Sequence, residues 1–270
     1  MIKAIAVDKD GTFLNSEHSY DKAYFDRLFT EIKRQNIKFI VASGNQYAQL
    51  QSFFPGKDED ITYVGENGAV TYFKDELLNA HHFDATLIED VVKFLEQEHQ
   101  IKNIILSGVK TSYLRHDAPE AFKEYVKLYY KDITYVDNFD DLSHDKIVKV
   151  AMHIADETLL NDVVNELNAK FGQSIRSVTS GFDSLDLLVP HVNKGEAIKE
   201  LLAEWDIQED ELLAFGDANN DIEMLQLTPH SYAMESCSPE LAEVAHHRAP
   251  SNDESGVLQV IEKYLKEQQQ

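Results

Sequence analysis

Short apolar runs that stop abruptly at a carboxylate or a hydroxyl constrain the fold of this chain more than any other feature. Ile2 to Val7 gives way to Asp8-Lys9-Asp10-Gly11-Thr12, and Leu212-Leu213-Ala214-Phe215 ends in Gly216-Asp217-Ala218-Asn219-Asn220-Asp221. Phe39-Ile40-Val41-Ala42 stops in the same way at Ser43-Gly44-Asn45. Such runs read as buried strands, and Phe25, Leu28, Phe29 and Ile32 fall at helical spacing between the first two of them in the chain. Strand, helix, strand units wind right-handed into a parallel sheet whose ligand crevice lies at the carboxyl ends of the strands. Asp8, Ser43 and Asp217 all take that position. The expected fold class is α/β, a doubly wound, Rossmann-like parallel sheet with an inserted α/β domain.

The insertion is read from rhythm. Leu87 to Glu98 reads as a helix ahead of strand-like Asn103 to Leu106 and Thr111 to Arg115, with Ser107-Gly108 as turn residues. Leu159 to Phe171, Ile175 to Val178 and Leu185 to Val189 repeat that order around Ser180-Gly181. The expected division is residues 1–82 and 189–270 for the core and 83–188 for the insertion. Lys194 to Trp205 resumes the core as a helix with Ala197, Leu201 and Trp205 on one face, and a last amphipathic helix starts at Gly256. Asn67-Gly68 reads as a hairpin turn.

Charge narrows the function. With 25 Lys and Arg against 48 Asp and Glu, the net charge of −23 opposes binding to nucleic acid or anionic membranes. No obligate protein partner is evident, and a small phosphorylated substrate would have to be held by local positive groups. The single cysteine, Cys237, excludes an internal disulfide and a thiolate zinc site. The first apolar run is too short for a signal peptide or a membrane span, so a cytoplasmic location is expected. His81-His82 and His246-His247 lack zinc-ligand spacing, and Asp137 to Asp145 reads as a solvated acidic loop.

A strand-end carboxylate can attack phosphorus and form an aspartyl-phosphate once a cation neutralises the mutual repulsion. Magnesium suits that task because it takes one or two carboxylates together with water and substrate oxygens, and Asp8 and Asp217 fit it. Asp10 is then available to protonate the leaving oxygen and later to deprotonate the attacking water, if only its backbone carbonyl faces the metal. Gly11 lets the chain leave the strand sharply. Ser43, Gly44 and Asn45 offer a hydroxyl and backbone N–H groups to phosphate, and Lys194 adds a point charge. Taken alone, Asp8 to Thr12 reads equally well as a strand ending in an Asx-type turn.

In order along the chain, Asp8-Lys9-Asp10-Gly11-Thr12, Ser43-Gly44-Asn45, Lys194-Gly195 and Gly216 to Asp221 resemble the four motifs of the haloacid dehalogenase-like phosphatases. The insertion resembles the large α/β cap of their Cof-type branch. The resemblance implies Asp8 as nucleophile, Asp10 as acid/base, and magnesium on Asp8, Asp10 and Asp217, with Asp221 joining directly or through water. It implies phosphate held by Ser43, Gly44, Asn45, Lys194 and Asn220. Lys9 departs from the family, which usually has an apolar residue there, and its side chain is expected to point away from the two aspartates.

Lys149 and Asp186 are polar residues set in apolar strand-like runs. They resemble in position the residues that face the sugar in related cap-bearing phosphatases, although outward-facing salt-bridge partners are the commoner reading of such residues. The expected activity is magnesium-dependent hydrolysis of small phosphorylated metabolites, sugar phosphates foremost. A phosphomutase with the same intermediate, a phospho-acceptor signalling module and a non-catalytic sugar-phosphate sensor are the alternatives.

Overall fold

The computed structural model describes residues 1–140, 142, 144–179 and 183–269. The expected turn at Ser180-Gly181 lies outside them. Along the chain run β1 (Ala4–Asp8), α1 (Lys22–Arg34), β2 (Lys38–Ala42), α2 (Tyr47–Phe53), β3 (Ile61–Gly65), β4 (Val70–Phe73), β5 (Glu76–Ala80), α3 (Ala85–Lys93), β6 (Ile104–Gly108), β7 (Ser112–Arg115) and α4 (Glu120–Tyr129). There follow β8 (Ile133–Val136), β9 (Ile147–His153), α5 (Glu157–Phe171), β10 (Arg176–Thr179), β11 (Ser184–Leu188), α6 (Lys194–Glu204), β12 (Leu212–Gly216), α7 (Ile222–Gln226), β13 (His230–Ala233), α8 (Pro239–Val244), β14 (His247–Arg248) and α9 (Gly256–Glu267). Packing divides the chain into two units, residues 1–44, 53–78 and 193–270 forming one, and 45–52 with 79–192 the other.

The first unit is built on a sheet in the order β14-β13-β12-β1-β2-β3-β4-β5. From β14 to β3 all neighbours are parallel, and β4 returns antiparallel from β3 across a short turn containing Asn67 and Gly68. The two sheet faces differ in side-chain size. Ala4, Ala6, Ala42 and Ala214 are buried against Ala197, Ile198 and Leu201 of α6, where small strand residues let the helix settle close. On the other face Phe39 meets Phe13, Phe25 and Phe29 at ring-centroid distances of 6.2, 5.4 and 5.8 Å. Phe25, Leu28, Phe29 and Ile32 are the buried face of α1, as their spacing predicts. Helices therefore cover both faces of a mostly parallel sheet, the doubly wound arrangement.

The second unit has its own sheet, ordered β10-β11-β9-β6-β7-β8 and antiparallel except for β7 with β8. Leu106, Tyr113, Val150, Met152, Leu185 and Leu187 share a core with Val91 and Val92 of α3 and Val163 and Leu167 of α5. On the opposite face Ile105, Leu114 and Ala151 pack with Phe122 and Val126 of α4. Lys149 and Asp186 belong to that α4 face, because Asp186 pairs in register with Ala151 and Leu188 with Lys149. Ser107 and Gly108, expected as turn residues, are instead the last residues of β6, with a register shift against β9 between them. A bulge absorbs the irregularity that the glycine signals.

Within the run ending at Asp145, Asp137 and Asp140 are exposed, as a solvated loop requires, while its apolar residues and Asp145 are anchored. Phe139 and Leu142 are buried, and Asp145 accepts hydrogen bonds from the Tyr113 hydroxyl and the Lys110 and Lys146 N–H groups. Residues 45–52 pack with this unit because the Gln46 amide donates to Ser112 Oγ at 2.8 Å and its oxygen accepts from Lys131 N at 3.3 Å. Among the described residues no helix is long and apolar enough to cross a membrane.

Candidate active site

Strand register assembles the site. β1 lies between β2 and β12, with Asp8 opposite Ala42 and Val7 opposite Phe215. Ser43 and Asp217 therefore leave their strands beside the end of β1. Lys194 arrives from the start of α6, which Asn193 caps by accepting a hydrogen bond from Glu196 N at 2.8 Å. Gly68, at φ +102°, makes that approach possible, since a Cβ there would lie 2.2 Å from Asn193 O.

A lysine in the first turn of a helix opposes the helix dipole, and a buried ammonium is costly unless paired. Lys194 is wholly buried and doubly paired, donating to Asp8 Oδ1 at 2.6 Å and Asp221 Oδ1 at 2.7 Å. Burial works against its charge, yet Asp221 and Asp8 outweigh burial and hold its pKa above the ordinary lysine range. Asp221, also fully buried, accepts with Oδ2 from the N–H groups of Asp217 and Ala218 at 3.0 and 3.2 Å. It shapes the loop that presents Asp217.

Asp217 accepts from the Thr12 hydroxyl at 2.7 Å, and its backbone oxygen accepts from Ser238 N at 2.8 Å. Burial raises its pKa to about 6 against the Thr12 hydrogen bond, with Asp221 adding to the rise. Asp8 is raised for the same first reason, burial, opposed by Lys194 and reinforced by Asp221 and Asp217. These carboxylates crowd one another. Ligand oxygens of Asp8, Asp217 and Asp221 all lie within 4.8 Å of one another. A hard divalent cation suits such an oxygen set, and it would relieve the repulsion that adds to burial in raising the two pKa values. Both oxygens of Asp221 already have partners, which leaves Asp8 and Asp217 as the carboxylates with oxygen to spare.

Asp10 stands differently. After Asp8 the chain enters a tight turn, Lys9–Phe13, closed by Leu14 N donating to Lys9 O at 2.9 Å. Inside it Gly11 adopts φ +76°, and a Cβ there would lie 2.5 Å from Asp217 Oδ2. The expectation that Lys9 points away from the aspartates is overturned. Strand alternation ends at Asp8, and within the turn the buried Lys9 ammonium reaches Asp10 Oδ2 at 3.0 Å. Asp10 itself is half exposed.

Of the expected phosphate ligands, Ser43 is buried, with its backbone oxygen accepting from Asn67 N at 3.0 Å. Gly44 lies close to Asn67, since a Cβ there would stand 3.2 Å from the side-chain amide. That amide also accepts from Asn220 Nδ2 at 3.0 Å, so Asn67 joins the second and fourth motifs. Asn45 belongs to the stretch grouped with the second unit and donates to Gln49 Oε1 at 3.1 Å. Lys149 is buried in that unit with Nζ 5.3 Å from the centre of the Tyr130 ring, and burial raises the Asp186 pKa against the pull of Lys149. Thr12 joins the site through Asp217 and Asn67 through Asn220, the latter at the turn that the family resemblance also places beside the site.

A family model described as haloacid dehalogenase-like hydrolase matches residues 5–261. The chain is 39% identical over 269 residues to 5-amino-6-(5-phospho-D-ribitylamino)uracil phosphatase YbjI of Escherichia coli K12, covering 98% of this chain and 97% of that one. It is similar to the solved structure of SMU.1108c from Streptococcus mutans UA159, with 36% identity, a TM-score of 0.88 and coverage of 98% and 100%. It shares the fold of TM0651 from Thermotoga maritima, with 21% identity, a TM-score of 0.86 and coverage of 97% of both chains. The carboxylate ends of β1 and β12, the lysine at the start of α6 and these matches agree: the chain belongs to the haloacid dehalogenase-like hydrolases.

Proposed function

We propose that the protein is a magnesium-dependent phosphatase acting on the terminal phosphate of small polyhydroxylated metabolites through a phospho-Asp8 intermediate. The buried Lys194 bridge carries this reading, because it takes only one lone pair of Asp8 Oδ1 and leaves the remaining lone pairs of the carboxylate for the cation and, on Oδ2, for attack on phosphorus. Asp8 and Asp217, with the Asp10 backbone carbonyl, are the residues that would hold the cation. Bound there, magnesium supplies positive charge that lets an anionic nucleophile approach an anionic phosphate. Ser43, Gly44, Asn45, Lys194 and Asn220 hold the phosphate oxygens in this reading.

In the first half-reaction Asp8 Oδ2 forms a bond to phosphorus as the ester P–O bond breaks, and Asp10 gives its proton to the departing alkoxide. In the second, Asp10 takes a proton from water, the water oxygen attacks phosphorus, and the acyl phosphate P–O bond breaks to return Asp8 and release phosphate. Hydrolysis is favoured over a mutase by the family match and by the phosphatase name of the Escherichia coli relative. That relative's substrate ends in a 5-phospho-D-ribityl chain, a phosphorylated polyol, which is chemically akin to a sugar phosphate. Segments 41–54, 66–69 and 251–256 also resemble the bacterial sugar phosphatase YbiV.

Lys149 and Asp186 are assigned to substrate discrimination. The deciding experiment measures free phosphate from a panel of hexose, pentose and polyol phosphates, the ribitylaminouracil phosphate and nucleotides, with magnesium and an Asp8→Asn control. Phosphate release confined to nucleotides would refute the polyol reading, and phosphate returned to substrate rather than released would favour the mutase.

A further inference from the structure

We propose that Lys9 is a positioning residue that fixes the carboxyl plane of Asp10 for proton transfer to the leaving group. The inference rests on Asp10 being the acid/base. Lys9 is 2% exposed, with Nζ 3.0 Å from Asp10 Oδ2 and 4.3 Å from the centre of the Phe53 ring. An apolar chain of similar length would fill the space over Phe53 without burying a charge. The ammonium therefore needs a reason to be there, since burying a charge costs several kcal/mol unless a partner offsets it.

The one ion-pair partner given to Lys9 among the described residues is Asp10. Adjacent residues on a strand would face opposite ways. Here β1 ends at Asp8 and Lys9 opens the tight turn Lys9–Phe13, so strand alternation no longer holds the two neighbours apart. The ion pair engages Oδ2 and leaves Oδ1, 4.0 Å from the exposed imidazole of His18, as the oxygen that can carry the proton. A half-exposed carboxylate without this restraint would rotate freely about its side-chain bonds, and proton transfer is sensitive to such misplacement.

Leaving-group dependence separates positioning from mere structural support. An alkyl phosphate needs its leaving oxygen protonated, whereas p-nitrophenyl phosphate releases a stable phenolate and does not. For both substrates kcat/KM reports events up to the first irreversible step, formation of phospho-Asp8. Lys9→Met is expected to lower kcat/KM for a sugar phosphate about tenfold or more while changing that for p-nitrophenyl phosphate less than about threefold.

Lys9→Arg should restore part of the loss. In an Asp10→Asn background Lys9→Met should change neither value further. Equal losses on both substrates, an unchanged ratio, a gain on the sugar phosphate, or an effect that persists without Asp10 would each overturn the proposal. Thermal melts establish that the variants fold, and Lys9→Leu, which likewise has no donor, carries the same comparison if Lys9→Met does not fold. Full sugar phosphate turnover by Asp10→Asn alone would instead remove the acid/base reading on which the proposal stands.

Discussion

Lys194 and Asp221 are both wholly buried, and 2.7 Å separates the ammonium from the carboxylate oxygen. The same ammonium holds Asp8, so one cation compensates two buried anions. Removing one partner of a buried pair strands the others. Lys194→Met is expected to destabilise the protein by about 3–5 kcal/mol and to abolish turnover. Urea denaturation with a parallel phosphate-release assay measures both, and a stability change below about 1 kcal/mol would contradict the picture of a single compensating charge.

Asp8→Asn is expected to abolish turnover with little loss of fold, because the amide is a poor nucleophile and still accepts a hydrogen bond from Lys194. A residual kcat above about a tenth of wild type, a barrier change under ~1.4 kcal/mol, is incompatible with covalent catalysis by this residue.

Protons and magnesium should compete for Asp217, whose pKa stands at about 6 with burial as the first cause. Below that pH the group holds a proton, so apparent magnesium affinity should fall as pH drops, approaching about tenfold per unit. The cation-free stability runs the other way. A carboxyl raised from 3.8 to about 6 binds more protons folded than unfolded across that window, so stability declines as pH rises through it. Magnesium should then raise the melting temperature more at pH 7 than at pH 5. Equal increments at both would show that Asp217 is not a ligand.

Lys149→Ala and Asp186→Ala are expected to change the order of kcat/KM among sugar and polyol phosphates while leaving a small aryl phosphate within about threefold. Uniform losses on every substrate would assign them to support of their own sheet. No loss anywhere would leave them without a part in turnover, as a largely buried charged pair of their own sheet.

The strands of the first unit and their terminal aspartates were legible because apolar runs bounded by acidic turns carry period and punctuation together. The α1 stripe of Phe25, Leu28, Phe29 and Ile32 was legible for the same reason. By contrast, α4 and β8 stood out in no pattern: α4 buries only Phe122 and Val126, and no residue of β8 is fully buried. Lys9 departs from its expected direction because strand alternation stops at Asp8, where the tight turn begins. Thr12 with Asp217 and Asn67 with Asn220 join residues 205 and 153 positions apart, and nothing local in either segment announces its partner.

The placement of β1 between β2 and β12 bears on how the chain is made. During synthesis β1 and β2 emerge early, but the strand that covers the other edge of β1 follows some two hundred residues later. Until then the N-terminal segment presents an unpaired strand edge, apolar from Ala4 to Val7, the kind of surface through which nascent chains stick to one another. Asp8 also waits for its buried partner, since Lys194 is 186 residues downstream. A ribosome-bound chain therefore has no working site, and slowing translation between residues 44 and 193 should raise its dependence on chaperones.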